Sequence, residues 1–143
     1  MVRVEVNTNI SQPVHDVFEF VREESNLPKW DEELIKIIKT SDGDFGIGTK
    51  LHLDIKPMMG VTEATGEVVG YEPDKKIELK FEMGKLSAHV WHLTEPQGDG
   101  TKFTRVVEIQ PKGFMKLMTP MMARKIYRYN VDILAKLKSL IEA

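Results

Sequence analysis

The sequence predicts an α+β fold in which a curved, seven-stranded antiparallel sheet is wrapped around one long C-terminal helix. Three observations predict it. Apolar and polar residues alternate with period two through most of residues 2–110, the connections between these runs are short and rich in Gly, Pro and Asp, and over the last 30 residues the period changes to three and four. Period two sends successive side chains to opposite faces of a strand, and short connections favour antiparallel pairing over crossovers.

In chain order, residues 2–10 form the first strand, with Val2, Val4 and Val6 on one face and Arg3, Glu5 and Asn7 on the other. Ser11 is expected to cap a short helix, its hydroxyl accepting from free first-turn amides, and Pro13 in that turn loses little for lacking an amide hydrogen. Val14, Val17, Phe18 and Val21 make the buried stripe of this helix. A second short helix or turn follows around Asn26 to Glu33, where Leu27 and Trp30 point the same way and Pro28 keeps it brief. Leu34 to Lys39 opens the run of strands, and Asp42, Gly43, Gly46 and Gly48 turn the chain. Leu51, Leu53 and Ile55 then alternate against Lys50, His52, Asp54 and Lys56. Residues 61–71 are a softer strand, because Ala64, Gly66 and Gly70 leave it short of side chain, which signals a bend or room for something to approach. Ile77, Leu79, Phe81 and Met83 face one way, and Lys76, Glu78, Lys80 and Glu82 the other. Residues 86–95, the PQGDG loop at 96–100 and residues 101–110 complete the sheet.

The last helix is amphipathic, with Met118, Met122, Ile126, Tyr129, Ile133, Leu137 and Leu140 recurring at helical spacing. Pro120 removes a backbone donor near its start, so a kink or a restarted helix is expected there. An antiparallel sheet with one polar face must cover its other face, and this helix is the element long enough to do so. A helix laid on a strongly curved sheet touches it closely at one end and poorly at the other. The gap becomes an internal hydrophobic cavity.

Composition narrows the function classes. A chain of 143 residues fits a single domain, 1–143, and shows no linker, repeat or low-complexity tract. With no cysteine there is no disulfide, thiolate metal site or cysteine nucleophile, and the expected compartment is the reducing cytoplasm. The opening MVRVEVNTNI alternates where a secretory leader would be continuously apolar. Lys and Arg total 20 against 22 Asp and Glu, a net charge of −2 with mixed signs, so no nucleic-acid partner is expected. Among the serines none lies in a G-x-S-x-G setting, and GDFGIG at 43–48 lacks the Lys of a phosphate loop.

Several segments in this order and spacing resemble one family. They are the opening strand running into ISQPVHDVFEFV, the NLPKW segment with Pro28 and Trp30, Gly46 and Gly48 before the third strand, the YEPDKKI turn, the GDGTKFT hairpin and PKGFMKLMTPMMARKI. Together they resemble the START-like or SRPBCC superfamily, also called Bet v 1-like, and within it the polyketide cyclase/dehydrase group. The likeness runs over nearly the whole chain. It implies a helix-grip fold whose sheet and last helix enclose a pocket for lipids, sterols, quinones, polyketides or other apolar ligands. The superfamily has members that are enzymes and members that only bind, and it shares no catalytic triad to carry over.

The stretch 112–129 draws attention, since Met115, Met118, Met121 and Met122 fall within eight positions beside Phe114. In the architecture the resemblance implies, they form one wall of the cavity mouth, and methionine suits a surface that repacks around ligands of different shape. The alternative is ordinary gap filling in a core. Lys112, Lys116, Arg124, Lys125 and Arg128 make the same stretch basic, which would suit transient contact with an anionic membrane, or is an ordinary solvated face.

On the sheet, Leu53, Phe81 and Met83 are candidate cavity residues, as is Tyr129 on the last helix. In residues 86–95 the large apolar Trp91 and Leu93 point inward on this reading, which carries His89 inward and His92 outward. Because the two histidines of HVWH lie on opposite faces they cannot chelate one ion, and no metal site is expected. Phe103, Val107 and Ile109 share a face that carries Arg105 inward, where it needs either a buried carboxylate or a ligand carboxylate or phenolate, unless a bulge returns it to solvent. The family-like arrangement sets Trp30 against the inside of the sheet at the end of the cavity, as ligand neighbour, core anchor or both.

Three readings follow. The first is binding or transport of a small hydrophobic ligand, with no cofactor, by a monomer or homodimer. The second is a polyketide cyclase or dehydrase in which His89 is the base and Arg105 stabilises an enolate. The third is an interaction or co-chaperone-like module whose cavity has collapsed.

Overall fold

The computed structural model of the chain describes residues 1–58, 60–113 and 119–143, without the side chains of residues 58 and 119. Seven strands, β1 (Val2–Ile10), β2 (Leu34–Lys39), β3 (Lys50–Met58), β4 (Val61–Glu72), β5 (Lys76–Met83), β6 (Leu86–Gln97) and β7 (Gly100–Pro111), form one open sheet in the order β1-β7-β6-β5-β4-β3-β2, all neighbours antiparallel. From β2 to β7 each strand pairs with the next in sequence, as the short turns require. Only β1 stands apart, closing the far edge on β7 in unbroken register from Val2↔Ile109 to Ile10↔Thr101.

The chain crosses from the β1 edge to the β2 edge through α1 (Val14–Arg22), a 3-10 turn at Glu24–Asn26 and the short α2 (Leu27–Trp30). Ser11 does not cap α1: the cap position is Pro13, and no side chain bonds the first turn. The Ser11 amide instead donates to Glu142 Oε2 at 2.8 Å, tying the end of β1 to the end of the last helix. Capping by a side chain is dispensable here because Val17, Phe18 and Val21 of α1 are buried.

Curvature comes from three register shifts, at Leu34/Lys36, Asp54/Met58 and Val68/Gly70, each of which bends its strand. In β4 the space left by Gly66 is filled from within. The Phe81 ring leans over it, so that a Cβ at Gly66 would lie 2.6 Å from Phe81 Cε1.

The last helix, α3 (Thr119–Glu142), begins with Pro120 in its first turn, where the missing amide hydrogen costs no bond. Its C-terminal half buries Ile133, Leu134 and Leu137 and packs on β1. Transfer from water stabilises each such side chain by roughly 1.5–3 kcal/mol. From 120 to 129 no described side chain is fully buried. This half stands away from the sheet.

Candidate functional site

The gap between the sheet and the first half of α3 is a cavity of about 470 Å³. Its walls are mostly aliphatic and aromatic: Leu53 and Ile55 of β3, Leu79, Phe81 and Met83 of β5, Ala88 and Val90 of β6, and Val107 and Ile109 of β7. These are the inward positions of the period-two alternation, and the curved sheet turns them toward a common centre. Leu27 approaches from α2, and Ile126 and Tyr129 from α3.

One end of this space is polar. Arg105 is only 8% exposed, yet it borders the cavity. Its Nε donates to Asn130 Oδ1 at 2.7 Å, and its Nη1 lies 2.7 Å from His92 Nε2. Asn130 is held in turn by donating to the Ile126 carbonyl at 2.7 Å, one turn back along α3. Beneath the guanidinium lies the Trp30 ring, its centroid 5.9 Å from the Arg105 Cζ, with the His92 and Phe103 rings packed around the indole. Among the described residues, Nε1 of Trp30 is the one sealed side-chain nitrogen or oxygen with no partner. Nη2 of Arg105 has no partner among them either but is not sealed, and Arg105 borders the cavity.

The protonation states follow from this geometry. A guanidinium can only donate, so His92 Nε2 must accept and the ring proton sits on Nδ1. Burial, with the neighbouring Arg105 charge adding to it, drives the His92 pKa well below the ordinary histidine value. His92 is therefore a neutral acceptor. The Tyr129 hydroxyl donates to Asp31 Oδ1, which also accepts from the Glu33 amide at 3.1 Å, and this bond ties α3 to the segment after α2. Burial, and then the Asp31 charge, push the Tyr129 pKa far above the usual phenol range, so the hydroxyl stays protonated.

A model of the family described as "Polyketide cyclase / dehydrase and lipid transport" matches residues 1–142. The chain belongs to that family. Among solved structures, a START superfamily protein from Mycobacterium smegmatis superposes with a TM-score of 0.81 at 14% identity, over 98% of this chain and 97% of its own. A protein from Thermus thermophilus gives 0.78 at 14% identity, over 97% of this chain and 96% of its own. The di-domain ARO/CYC protein BexL from the BE-7585A biosynthetic pathway gives 0.77 at 15% identity, over 97% of this chain and 46% of its own. At such identities the likeness establishes the START-like, helix-grip fold. None of the curated proteins compared with the sequence matches it. Family membership supports a hydrophobic ligand-binding or cyclase-like role, without a specific ligand or activity.

The structure of this family member brings only part of the expected set together. Leu53, Phe81, Met83, Arg105 and Tyr129 border the cavity. The facing of β6 is the reverse of the sequence expectation: His92 is inward, and His89 and Trp91 lie on the outer face, stacked on each other at 3.8 Å, with His89 Nε2 2.6 Å from Glu78 Oε2. The cause is register, since the inward Arg105 and Val107 lie directly opposite His92 and Val90, and opposed residues share a face. Trp30 is fully buried behind the polar end, packed on His92 and Phe103, and does not border the cavity itself. Met121 is 68% exposed and points away, while Met122 is half-buried against the core without reaching the cavity, because α3 turns neighbouring positions about 100° apart. Phe114, Met115, Lys116 and Met118 lie outside the described residues.

Of the basic residues, Lys125 reaches the cavity rim, Arg128 lines a neighbouring surface groove, Arg124 is exposed and Lys112 pairs with Glu82 at 3.5 Å. Among the described residues one group, His52, Asp54 and Glu63, brings potential metal-ligating atoms within 4.8 Å of one another, and it sits on β3 and β4 outside the cavity lining. No described helix is long and apolar enough to cross a membrane. Asp31 and Asn130 are absent from the set expected from sequence. The available signal for Asn130 was its position on the apolar stripe of α3, four residues after Ile126 and four before Leu134.

Proposed function

We propose that the protein binds a small hydrophobic ligand in the cavity between the sheet and the first half of α3. The observation that carries this reading is a cavity of about 470 Å³ walled mostly by aliphatic and aromatic side chains, with buried Arg105, His92 and Asn130 together at one end and the exposed Glu33, Lys56 and Lys125 at its rim. That is the volume range and lining of small-molecule sites, and apolar burial supplies the affinity. The collapsed-cavity interaction module is disfavoured by the same volume.

The catalytic alternative loses its base. His89 is on the outer face, and the histidine that borders the cavity has its lone pair committed to Arg105 and its pKa depressed, so it is a poor proton acceptor. Arg105 alone can stabilise charge but cannot move a proton.

Tryptophan emission tests the binding reading. Trp30 lies against the polar end of the cavity and Trp91 on the outer face, so titration with fatty acids, sterols, quinones and aromatic polyketides should change the emission of a Trp91→Phe variant and leave that of Trp30→Phe unchanged. Filling the cavity by Ala88→Phe should suppress saturable binding. Equal response in both tryptophan variants, or binding that survives Ala88→Phe, would move the site elsewhere.

A further inference from the structure

Resting on the ligand-binding reading, we propose that the ligand is an amphipathic acid whose anionic oxygen is held by Arg105, its apolar body lying along β5, β6 and β7 toward Met83 and Ile109. The guanidinium is permanently charged, and it is almost wholly removed from solvent. Both of its hydrogen bonds go to neutral acceptors, the Asn130 amide oxygen and the His92 ring. Asp31, the buried carboxylate at this end of the cavity, spends Oδ1 on the Tyr129 hydroxyl and the Glu33 amide, and it makes no ion pair with Arg105. A charge taken out of water without a counterion is costly, and the cost is recovered when a fitted anion arrives.

The geometry assigns where that anion sits. Nε and Nη1 are engaged by Asn130 and His92, while Nη2 has no partner among the described residues and is not sealed, on a residue that borders the cavity. Donors of a planar guanidinium match a carboxylate or enolate oxygen, and such charge-assisted bonds are stronger than neutral ones. Asn130 and His92 are positioning residues that hold the guanidinium over the Trp30 ring. From Arg105 to Ile109 along β7 is four strand residues, roughly 13 Å, and this length is walled by apolar side chains of β5, β6 and β7. A head group at Arg105 and an apolar body of that length therefore fill the space together. A neutral ester or alcohol of equal shape fills the walls but leaves the charge unpaired.

The test uses two matched pairs, decanoic acid with methyl decanoate and 2-naphthoic acid with its methyl ester. Each compound is titrated by calorimetry and by displacement of the uncharged dye Nile red from the full chain. The acids should bind about 10- to 100-fold more tightly than their esters. Arg105→Gln should bring the acids down to the ester level and leave the esters unchanged. Should that variant not fold, the wild-type Arg105 15Nε resonance serves instead: it should shift on adding an acid and stay in place on adding an ester. Esters that bind as tightly as acids, or an acid preference that survives in Arg105→Gln or leaves the resonance unmoved, would overturn this inference while the ligand-binding reading stands. Binding of neither dye nor any of the four compounds would bring down both.

Discussion

In the C-terminal half of α3, Ile133, Leu134 and Leu137 are sealed against β1 and the core, whereas between 120 and 129 no described side chain is sealed and Ile126 and Tyr129 border free space. The amphipathic period is the same in both halves. What differs is the distance to a curved sheet, so one half of a continuous helix is committed to stability and the other to enclosing a cavity. Substitutions that separate these contributions are therefore the sharpest tests. Leu137→Ala should destabilise the protein by about 2–5 kcal/mol, and Ile126→Ala, whose side chain already faces space, by about 1 kcal/mol or less. Urea denaturation of the two variants measures both. Equal losses would mean that the first half of α3 is packed as tightly as the second.

The next effect in size comes from the sheet side of the same cavity. Gly66→Ala puts a methyl group 2.6 Å from Phe81 Cε1, so the ring must swing away, and the free volume beside it is the cavity that Phe81 borders. Overpacking of this kind costs about 1–3 kcal/mol. The displaced ring should also weaken ligand binding, a paired outcome that calorimetry and denaturation can check together. A loss of stability with unchanged affinity would show that the ring moves outward instead.

The facing of β6 is where sequence and structure part most clearly. Judged strand by strand, the large apolar Trp91 and Leu93 of β6 point inward, but the structure has them on the outer face. The information that reverses them lies in the neighbouring strand. Gln97 pairs with Gly100 across a two-residue turn, with Gly98 at φ 61°, and counting back from that turn sets His92 opposite Arg105 and Val90 opposite Val107. Arg105, Val107 and Ile109 were legible as one inward face from their own alternation, so hairpin arithmetic would have turned His92 inward with them. The strands and the long helix were legible because they rest on period and on short connections, whereas the pairing of β1 with β7 is recorded in neither. The polar end of the cavity was not, because it assembles Asp31, His92, Arg105 and Asn130 from four distant segments, and no local pattern records that meeting.

The inward face of β6 also predicts a pH dependence. His92 is held neutral in the fold, with a folded pKa below its unfolded value of 6.5. Below that value the unfolded chain takes up a proton that the folded chain refuses, so stability falls with falling pH by up to about 1.4 kcal/mol per pH unit and is flat above it. His92→Gln keeps an acceptor for Arg105 and cannot titrate, so this part of the slope should vanish between about pH 6.5 and the onset of carboxylate titration. His15 works in the opposite sense: its bond to Asp74 raises its pKa on the surface, so its contribution is present at low pH and lost as pH rises through the folded pKa. A slope unchanged in His92→Gln would mean that the buried ring is not the group refusing the proton.

The smallest effect is expected at Met121, and it bears on the first half of α3. A methionine cluster in this stretch suggests an adaptable wall around a ligand, but Met121 is 68% exposed and the methionine that borders the cavity among described residues is Met83, on β5. Met121→Ala should therefore change stability by no more than about 0.5 kcal/mol and leave ligand affinity unaltered. If the variant instead weakens binding several-fold at unchanged stability, Met121 must turn inward when the cavity fills. The first half of α3 would then close on the ligand by rotating about its own axis, against the Tyr129–Asp31 bond that ties it to the segment after α2.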